Sequence, residues 1–418
     1  MDKLEIIGGK KLLGSINISG SKNATLPILA ASILSKKTTL KNVPFVKDIR
    51  TMPSLLISLG SEIKSNVKKK TIEIKNPNEL KTFASYSHVK TMRAGVLVLG
   101  PLLAKFGKAK VSLPGGCAIG ARPIDLHING LKKLGAKIKL LNGYIYASAK
   151  KGLKGKKIKF SKISVGATEN LLIASCTAKG RTILKNCACE PEIKDLLNFL
   201  NKMGSKIKWL SKRKIQIDGV NQLKECNYEV MFDRLEAGTF IIAAAATKGR
   251  IKLNNVDSKV INYEISVLKK MGIKFIKHKN KLTIIGNKKI KKINVSTNPY
   301  PGFPTDLQAQ LMALMCLAKG NSKLRENIFE NRFMHVPELN RMGANIRVKG
   351  KKAFIKGGQH LTGAELMATD LRASVSLVIA ALAAKNKSII NRIYHLDRGY
   401  ENIEKKLLKC GARIKRIE

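Results

Sequence analysis

Acidic residues are scarce in this chain, whose 418 residues include 28 Asp and Glu against 79 Lys and Arg, for a formal net charge of +51. Aromatic residues are also scarce, at 5% with a single Trp, so the chain offers few surfaces for stacking nucleic-acid bases. Only 16 of the 79 cations are Arg, the residue that makes bidentate contacts to phosphate and guanine. We therefore interpret the charge as a solvated lysine-rich surface and expect no nucleic-acid partner. Binding of nucleic acid is the alternative.

Long apolar runs and a cysteine framework are absent as well. Long apolar runs such as Phe240–Ala246 and Leu377–Ala384 fall short of the ~18 residues of a membrane span. The first residues, MDKLEIIGGK, lack the apolar stretch of a signal peptide. The seven Cys are odd in number, scattered and never spaced CxxC, which argues against disulfides or structural zinc and for a reducing compartment. We expect a cytoplasmic protein with no membrane association and no metal.

Six similar segments recur along the chain, each with apolar residues at helical spacing, then Gly, then an alternating apolar pattern. They read LISLGSEIK, LKKLGAKIK, LNKMGSKIK, LKKMGIKFI, LNRMGANIR and LLKCGARIK. Their glycines, spaced 68 to 75 residues apart, are Gly60, Gly135, Gly204, Gly272, Gly343 and Gly411. The pattern predicts an amphipathic helix that ends at a left-handed glycine and is followed by a strand. Six copies at near-constant spacing indicate an internal repeat.

An Ala-rich segment, a short turn and a strand-like segment precede each copy, as in TFIIAAAATKGRIKLNNV. Helices and strands alternating within ~70 residues indicate an α/β fold. Because 418 residues exceed one core of ~100–200 residues, the six copies divide as three plus three. We expect one domain over residues 22–229 and a second over 1–21 and 230–418. The Ala-rich helices should be buried, and the amphipathic helices should cover the outside.

The repeat allows the starts of the Ala-rich helices to be compared. Counting back 17 to 19 residues from the strand that follows each helix leads to Lys22, Arg93, Gly166, Arg234, Asp306 and Arg372. Four of the six are cations, although the helix dipole disfavours a cation at this end. We interpret them as parts of anion-binding sites, with chance surface cations as the alternative. Gly166 offers backbone N–H groups, and Asp306 is either a helix cap or a general base kept ionised by neighbouring cations.

The segment VSLPGGCAIGARPIDLHI interrupts the repeat with three glycines and two prolines. A loop of this composition is expected to be exposed and mobile, and to act as a lid. Cys117 lies at its centre near Arg122, a setting typical of a reactive thiol rather than a packed one. A Cys–His pair with His127 is a further possibility, although no other protease signature supports it.

A set of motifs in order along the whole chain resembles the UDP-N-acetylglucosamine 1-carboxyvinyltransferase family of enolpyruvyl transferases. They are GSKNATLP, KTMRAG, LPGGCAIGARPIDLH, SVGATEN, EPEI, PTDLQAQ, ENRFMHVPELNRMGA, TDLRAS and RIYHLDRGYENIEKKL. The resemblance implies a two-domain inside-out α/β barrel with three βαβαββ units per domain. It implies a cytoplasmic monomer without a cofactor that transfers the enolpyruvyl group of phosphoenolpyruvate to UDP-N-acetylglucosamine, the step that commits this sugar nucleotide to peptidoglycan.

The same resemblance implies roles for individual residues. Cys117 matches the proton donor and the thiol that forms an adduct with phosphoenolpyruvate, and Asp306 matches the carboxylate beside the reacting hydroxyl. Lys22 matches a catalytic cation, and Arg398 matches one near the leaving phosphate. Further residues implied to bind substrates are Asn23, Arg93, Arg122, Pro123, Ile124, Asp125, Leu126, Lys162, Ile163, Ser164, Val165, Ile328, Arg332, Asp370 and Arg372, with His395 a lesser candidate.

Two positions depart from the family pattern, namely Leu97 in place of Trp and Cys189 in place of Arg. Neither is among the reacting groups, so activity is still expected. The related transferase acting on shikimate 3-phosphate is the nearest rival, but it would not need the Cys117 loop or ENRFMHVPEL. A nucleic-acid-binding relic of an enzyme and a non-catalytic regulatory paralogue are the alternatives of a different class.

Overall fold

The computed structural model describes residues 2–90, 92–115, 120 and 123–418 of the chain. The described residues form two compact units. The terminal unit comprises those up to Ser19, Gly120 and Phe232–Glu418, and the middle unit comprises the others between Gly20 and Met231. Each unit has its own core of buried apolar side chains. The domain limits predicted from the repeats, 22–229 and 1–21 with 230–418, stay a prediction.

The middle unit contains three repeats of the order strand, buried helix, strand, covering helix, strand, strand. The first comprises Lys22–Ala31, Ser32–Leu34, Lys37–Lys41, Lys47–Leu59, Glu62–Asn66 and Thr71–Lys75, and its leading strand, Cys226–Glu229, comes from the other end of the unit. The second comprises Phe83–Ala84, Tyr86–Val89, Arg93–Val98, Leu99–Phe106, Lys108–Ser112, Asp125–Lys133, Lys137–Leu141 and Tyr144–Ser148. The third comprises Lys157–Lys159, Val165–Ser175, Arg181–Lys185, Pro191–Lys202, Lys206–Ser211 and Lys214–Asp218.

The terminal unit repeats the same order three times. Its first repeat comprises Leu13–Asn17, Arg234–Ala246, Arg250–Asn254, Asn262–Lys270, Lys274–His278 and Lys281–Ile285. The second comprises Asn294–Ser296, Thr305–Leu307, Gln308–Leu317, Asn321–Arg325, Val336–Arg341, Asn345–Lys349 and Lys352–Lys356. The third comprises Glu365–Met367, Leu371–Ala383, Lys387–Asn391, Ile393–Arg398, Ile403–Leu408 and Arg413–Ile417, and the N-terminal strand Lys3–Ile7 completes its sheet.

The described residues form six four-stranded sheets, one per repeat, and all have the same strand order. In each sheet the leading strand runs parallel to the strand after the buried helix. The other two strands form an antiparallel pair beside it, which is a hairpin in five of the sheets and consists of the two terminal strands, Lys3–Ile7 and Arg413–Ile417, in the sixth. In the third repeat of the middle unit, for example, Ile158 lies opposite Leu184, and Leu184 lies opposite Ile215. The predicted α/β class and its βαβαββ units are confirmed. The sheets of the described residues stay separate, and none of them closes into a barrel.

The Ala-rich helices lie at the centre of each unit, as predicted. All 13 residues of Arg234–Ala246 are buried, and this helix packs against Gln308–Leu317 and Leu371–Ala383. Small alanine side chains let these helices approach closely. The helices still bury apolar surface, which stabilises the fold by about 25 cal/mol per Å². The covering helices are amphipathic. The helix Pro191–Lys202, for example, buries Leu196 and Phe199 on one face and exposes its lysines on the other.

The six repeat glycines have the predicted left-handed conformation, with φ between +83° and +108°. Each lies one to three residues beyond the last residue of a covering helix. An L-residue with a Cβ would be strained at this φ, so the glycine ends the helix and turns the chain into the next strand. No helix of the described residues is both long and apolar enough to cross a membrane.

Candidate active site

Predicted site residues lie at the starts of the buried helices in the middle unit. Lys22 and Arg93 are each the first residue of a helical element, and Asn23 follows Lys22 as a half-buried residue. Lys22 is 9% exposed, and its Nζ lies 3.0 Å from Oδ2 of Asp48. The sequence did not predict this ion pair. The ammonium group still has further N–H bonds with which to bind an anion.

The imidazole of His127 connects two of the predicted segments. It is 7% exposed, and its Nδ1 lies 3.1 Å from Nδ2 of Asn170. Because the Asn170 amide donates, Nδ1 accepts and Nε2 carries the proton. Burial, and then the charge of Arg93, lower the pKa of His127 to about 4, so the ring stays neutral. A Cβ added to Gly166 would lie 3.2 Å from Cε1 of His127, so the helices Asp125–Lys133 and Val165–Ser175 meet at their first residues, next to residues 123–126 and 162–165.

These two segments offer different groups to a ligand. Ser164 caps its helix by accepting a hydrogen bond from the N–H of Ala167 at 3.3 Å. Helix starts with unsatisfied N–H groups attract anions, so this end suits a phosphate. Among the predicted residues of these segments, the exposed ones are Pro123, Asp125, Lys162 and Val165, and the buried or half-buried ones are Ile124, Leu126, Ile163 and Ser164.

In the terminal unit Asp306 lies between two arginines. Its Oδ1 accepts from Nη2 of Arg332 at 2.7 Å, and its Oδ2 accepts from Nη2 of Arg372 at 2.8 Å. Both arginines are 6% exposed. Burial disfavours the charge on Arg372, but Asp306, followed by Tyr400 and Asp233, together outweigh burial and raise the pKa of Arg372 overall. Asp306 is therefore held by two arginines and is not the N-cap of its turn, which is Pro304. Its predicted role as a general base stays a prediction.

The backbone at Ile328 is tied to the turn that contains Asp306. Glu326 is 1% exposed, and its Oε1 accepts from the N–H of Ile328 at 2.8 Å. Its other oxygen, Oε2, accepts from Oγ1 of Thr305 at 3.0 Å. One buried carboxylate thus fixes the Ile328 backbone relative to Thr305, the neighbour of Asp306. The two predicted positions, Asp306 and Ile328, are thus linked through the hydrogen bonds of Glu326 in the terminal unit.

The remaining predicted residues of this unit lie at or beside the start of the helix Leu371–Ala383, which contains Arg372. Oδ1 of Asp370 accepts from the N–H groups of Arg372 and Ala373, at 2.7 and 3.1 Å, so Asp370 caps the helix on which Arg372 lies. Arg398 ends the turn Ile393–Arg398 and is half-buried. His395 lies in the same turn.

Some predictions fall elsewhere. Cys117 and Arg122 lie outside the described residues. Leu97, one of the departures from the family pattern, is 3% exposed and part of the core. At the other departure, burial raises the pKa of the Cys189 thiol, and the nearby Arg213 guanidinium opposes that rise. Arg213 therefore supplies a cation beside the position where the family carries Arg.

Sequence reasoning missed several side chains of these clusters, among them Glu326 and Tyr400. The Tyr400 hydroxyl accepts from Nη1 of Arg372 at 3.2 Å. Neither residue stands at a helix start, so the comparison of repeat positions could not find them. A buried acid or phenol beside a predicted cation is recognisable only once the helices are packed. A cavity of about 510 Å³ is lined by residues that include Tyr263 and Tyr300. None of the predicted site residues lines it, so its volume does not mark the candidate active site.

Comparison with known proteins shows what the chain is similar to. The sequence profile of EPSP synthase (3-phosphoshikimate 1-carboxyvinyltransferase) matches residues 6–407. Proteins named UDP-N-acetylglucosamine 1-carboxyvinyltransferase share 65% identity in Pelagibacter ubique and 53% in Rickettsia canadensis, over 100% of both chains in each case. The solved enolpyruvyl transferase NikO from Streptomyces tendae superposes with a TM-score of 0.89 at 22% identity, covering 99% of this chain and 98% of that one. EPSP synthase from Acinetobacter baumannii superposes with a TM-score of 0.79 at 19% identity over 100% of both.

Proposed function

The chain belongs to the UDP-N-acetylglucosamine 1-carboxyvinyltransferase family of enolpyruvyl transferases, and from this premise we propose how its residues carry out the family's reaction. The enzyme transfers the enolpyruvyl group of phosphoenolpyruvate to the 3′-hydroxyl of UDP-N-acetylglucosamine and releases phosphate, the first committed step of peptidoglycan synthesis. Full-length identity of 65% with a relative of that name carries this conclusion. We further propose that it acts as a cytoplasmic monomer.

The reaction is an addition followed by an elimination. The 3′-oxygen forms a bond to C2 of phosphoenolpyruvate and loses its proton, while C3 gains a proton and becomes a methyl group. The C2–O bond to phosphate then breaks, and C3 loses a proton to restore the double bond. The enzyme must therefore supply an acid for C3, a base for the hydroxyl and cations for two anionic groups.

Asp306 is the proposed base for the hydroxyl. Its two buried arginine partners favour the carboxylate form, and each donates to one of its oxygens. A carboxylate oxygen accepts more than one hydrogen bond, so it can also accept from the hydroxyl. The guanidinium groups of Arg332 and Arg372 have further N–H bonds suited to the carboxylate or phosphate of phosphoenolpyruvate. Arg398 has the same proposed role toward the leaving phosphate.

Lys22 and Asn23 are proposed to contact phosphoenolpyruvate and the sugar, and Arg93 to add positive charge. Residues 123–126 and 162–165 are proposed to bind the nucleotide part, together with Arg122. The capped helix start at Ser164 suits its diphosphate. Cys117 is the proposed acid for C3, a role that rests on the sequence motif.

The experiment is phosphate release from phosphoenolpyruvate with and without UDP-N-acetylglucosamine. We expect release only with the sugar nucleotide, and none with shikimate 3-phosphate, the acceptor of the rival transferase. Cys117→Ser should lose turnover, whereas Cys117→Asp should retain it, because a carboxyl group can also supply a proton. Full activity in Cys117→Ala would contradict the proposed acid, and release driven by shikimate 3-phosphate would contradict the proposed acceptor.

A further inference from the structure

A chain of hydrogen bonds lies behind Arg372 in the interior of the terminal unit. The Tyr400 hydroxyl is 3.2 Å from Nη1 of Arg372 and 2.8 Å from Oγ1 of Thr239. Thr239 Oγ1 is in turn 2.8 Å from the carbonyl oxygen of Leu235. Tyr400 is 3% exposed and Thr239 is 1% exposed, so bulk water does not compete for these groups.

The chemistry of the donors fixes the direction of this chain. A carbonyl oxygen only accepts, so Thr239 donates its single hydroxyl proton to Leu235. Oγ1 of Thr239 must then accept from Tyr400, whose own proton is thereby used. The Tyr400 oxygen is left as an acceptor, and Nη1 of Arg372 donates to it. The bonds therefore run from the guanidinium to the phenol, the threonine and the backbone, each strengthening the next.

Hydrogen bonds to both terminal nitrogens orient the guanidinium group of Arg372. With Nη1 held by Tyr400, Nη2 faces Oδ2 of Asp306 at 2.8 Å. Gln310 strengthens the arrangement from the next helix, since its Nε2 donates to the backbone oxygen of Asp306 at 2.9 Å and lies 3.3 Å from Oγ1 of Thr239. The three buried helices of the unit thus meet at one polar network inside an apolar core.

We propose that Tyr400 is a positioning residue, which orients the Arg372 guanidinium and through it the Asp306 carboxylate. The proposal rests on the proposed function, in which Asp306 faces the reacting hydroxyl. Tyr400 touches neither reacting group in this role. Loss of its hydroxyl would free Nη1 of Arg372 and remove one of the constraints on Asp306. Misplacing a reacting group by ~1 Å is enough to lower turnover by about 100-fold.

The test compares Tyr400→Phe with Tyr228→Phe. Tyr228 is a matched control, because its hydroxyl also donates a hydrogen bond within the protein, to Oδ1 of Asp195 at 2.7 Å, but it belongs to the middle unit, whereas Asp306 belongs to the terminal unit. We expect Tyr400→Phe to lower kcat by about 10- to 100-fold with less than about a threefold change in KM for UDP-N-acetylglucosamine. Tyr228→Phe should lower thermal stability without lowering kcat. Equal kcat in Tyr400→Phe and wild type would overturn the proposal.

A double-mutant cycle separates positioning from general damage. Because Tyr400 acts through Arg372, Tyr400→Phe should have no further effect on kcat in an Arg372→Lys background. A double variant whose loss of kcat equals the product of the losses in Tyr400→Phe and Arg372→Lys would overturn the proposal. Should Tyr400→Phe fail to fold, Thr239→Val removes the acceptor of the phenol and should lower kcat, whereas Thr239→Ser should restore it. Equal kcat in the two Thr239 variants would contradict the hydrogen-bond chain.

A crystal structure of Tyr400→Phe tests the orientation without turnover. We expect the distance between Nη2 of Arg372 and Oδ2 of Asp306 to exceed ~3.5 Å, beyond hydrogen-bond range. An unchanged ion pair would overturn the positioning role even if wild type is fully active. Absence of turnover in wild type together with a displaced guanidinium would instead contradict the proposed function and leave the positioning role supported.

Discussion

Glu169 is a carboxyl group buried in the core of the middle unit, and its protonation should control the stability of that unit. It lies on the helix Val165–Ser175 and is 5% exposed. Burial, and then the negative charges of Glu192 and Glu190, raise the pKa of Glu169 from its ordinary 4.5 to about 8. Between pH 4.5 and about pH 8, therefore, Glu169 keeps its proton in the folded protein and releases it in the unfolded chain.

The middle unit should therefore lose stability as pH rises through this window, because the folded state binds more protons than the unfolded state. Each pKa unit of separation is worth about 1.4 kcal/mol. The contribution is close to zero at pH 4.5 and reaches about 3 kcal/mol at pH 7, on the order of 6–12 °C in the melting temperature of a unit of this size.

Glu169→Gln keeps the size of the side chain and removes its charge. We expect the unfolding free energy of the variant, relative to wild type, to increase by about 3 kcal/mol between pH 4.5 and pH 7. Denaturant unfolding of both proteins at several pH values gives this difference. Glu225→Gln, at an exposed position of the same unit, is the control for the replacement of a glutamate by glutamine as such. A difference for Glu169→Gln that is constant or shrinks as pH rises would refute the reasoning.

Three other changes test separate features of the fold. Lys406→Met leaves the buried carboxylate of Glu236 without its cation, so we expect a loss of about 3–5 kcal/mol in urea denaturation, and an unchanged midpoint would contradict the ion pair. The pKa of His127 falls to about 4 on folding, so the wild-type protein should lose stability as the pH is lowered from 6.5 to 4. In thermal melts over this range, the melting temperature of His127→Asn should decline less steeply than that of wild type. Gly20→Ala places a methyl group 1.6 Å from the carbonyl oxygen of Asn42, so soluble yield should collapse, and a normal yield would contradict the packing.

Features that repeat along the chain could be predicted from the sequence, because six copies reinforce one another. The left-handed glycines such as Gly60, the buried Ala-rich helices and the helix starts at Lys22 and Arg234 are of this kind. Local rules of helix capping and periodicity fix them without knowledge of tertiary structure.

Features that depend on which helices meet could not be predicted in this way. The predicted anion-binding role of the cations at the helix starts stays a prediction, but the carboxylates that the structure pairs with them, Asp48 with Lys22 and Glu264 with Arg234, were not foreseen. These carboxylates lie 26 and 30 residues further along the chain, where no repeat position marks them. The hydroxyl of Tyr400 behind Arg372 is hidden for the same reason.

The net charge of +51 carries less information than the position of individual cations. Arg332 and Arg372 are buried and hydrogen-bonded to one carboxylate, whereas lysines such as Lys137 and Lys139 are exposed. Exposed lysines steer anionic ligands toward a protein at low salt. They do not identify a site.

The measurement that tests the central claim most directly is the reaction run in D₂O with phosphoenolpyruvate and UDP-N-acetylglucosamine, followed by proton NMR of the product. The account predicts one enolpyruvyl ether at the 3′-oxygen, with deuterium in most of its vinylic methylene groups. Deuterium is expected because C3 becomes a freely rotating CH₂D methyl group before it loses a hydrogen. An ether with a wholly protiated methylene, or phosphate release without an ether, would contradict the addition–elimination reaction.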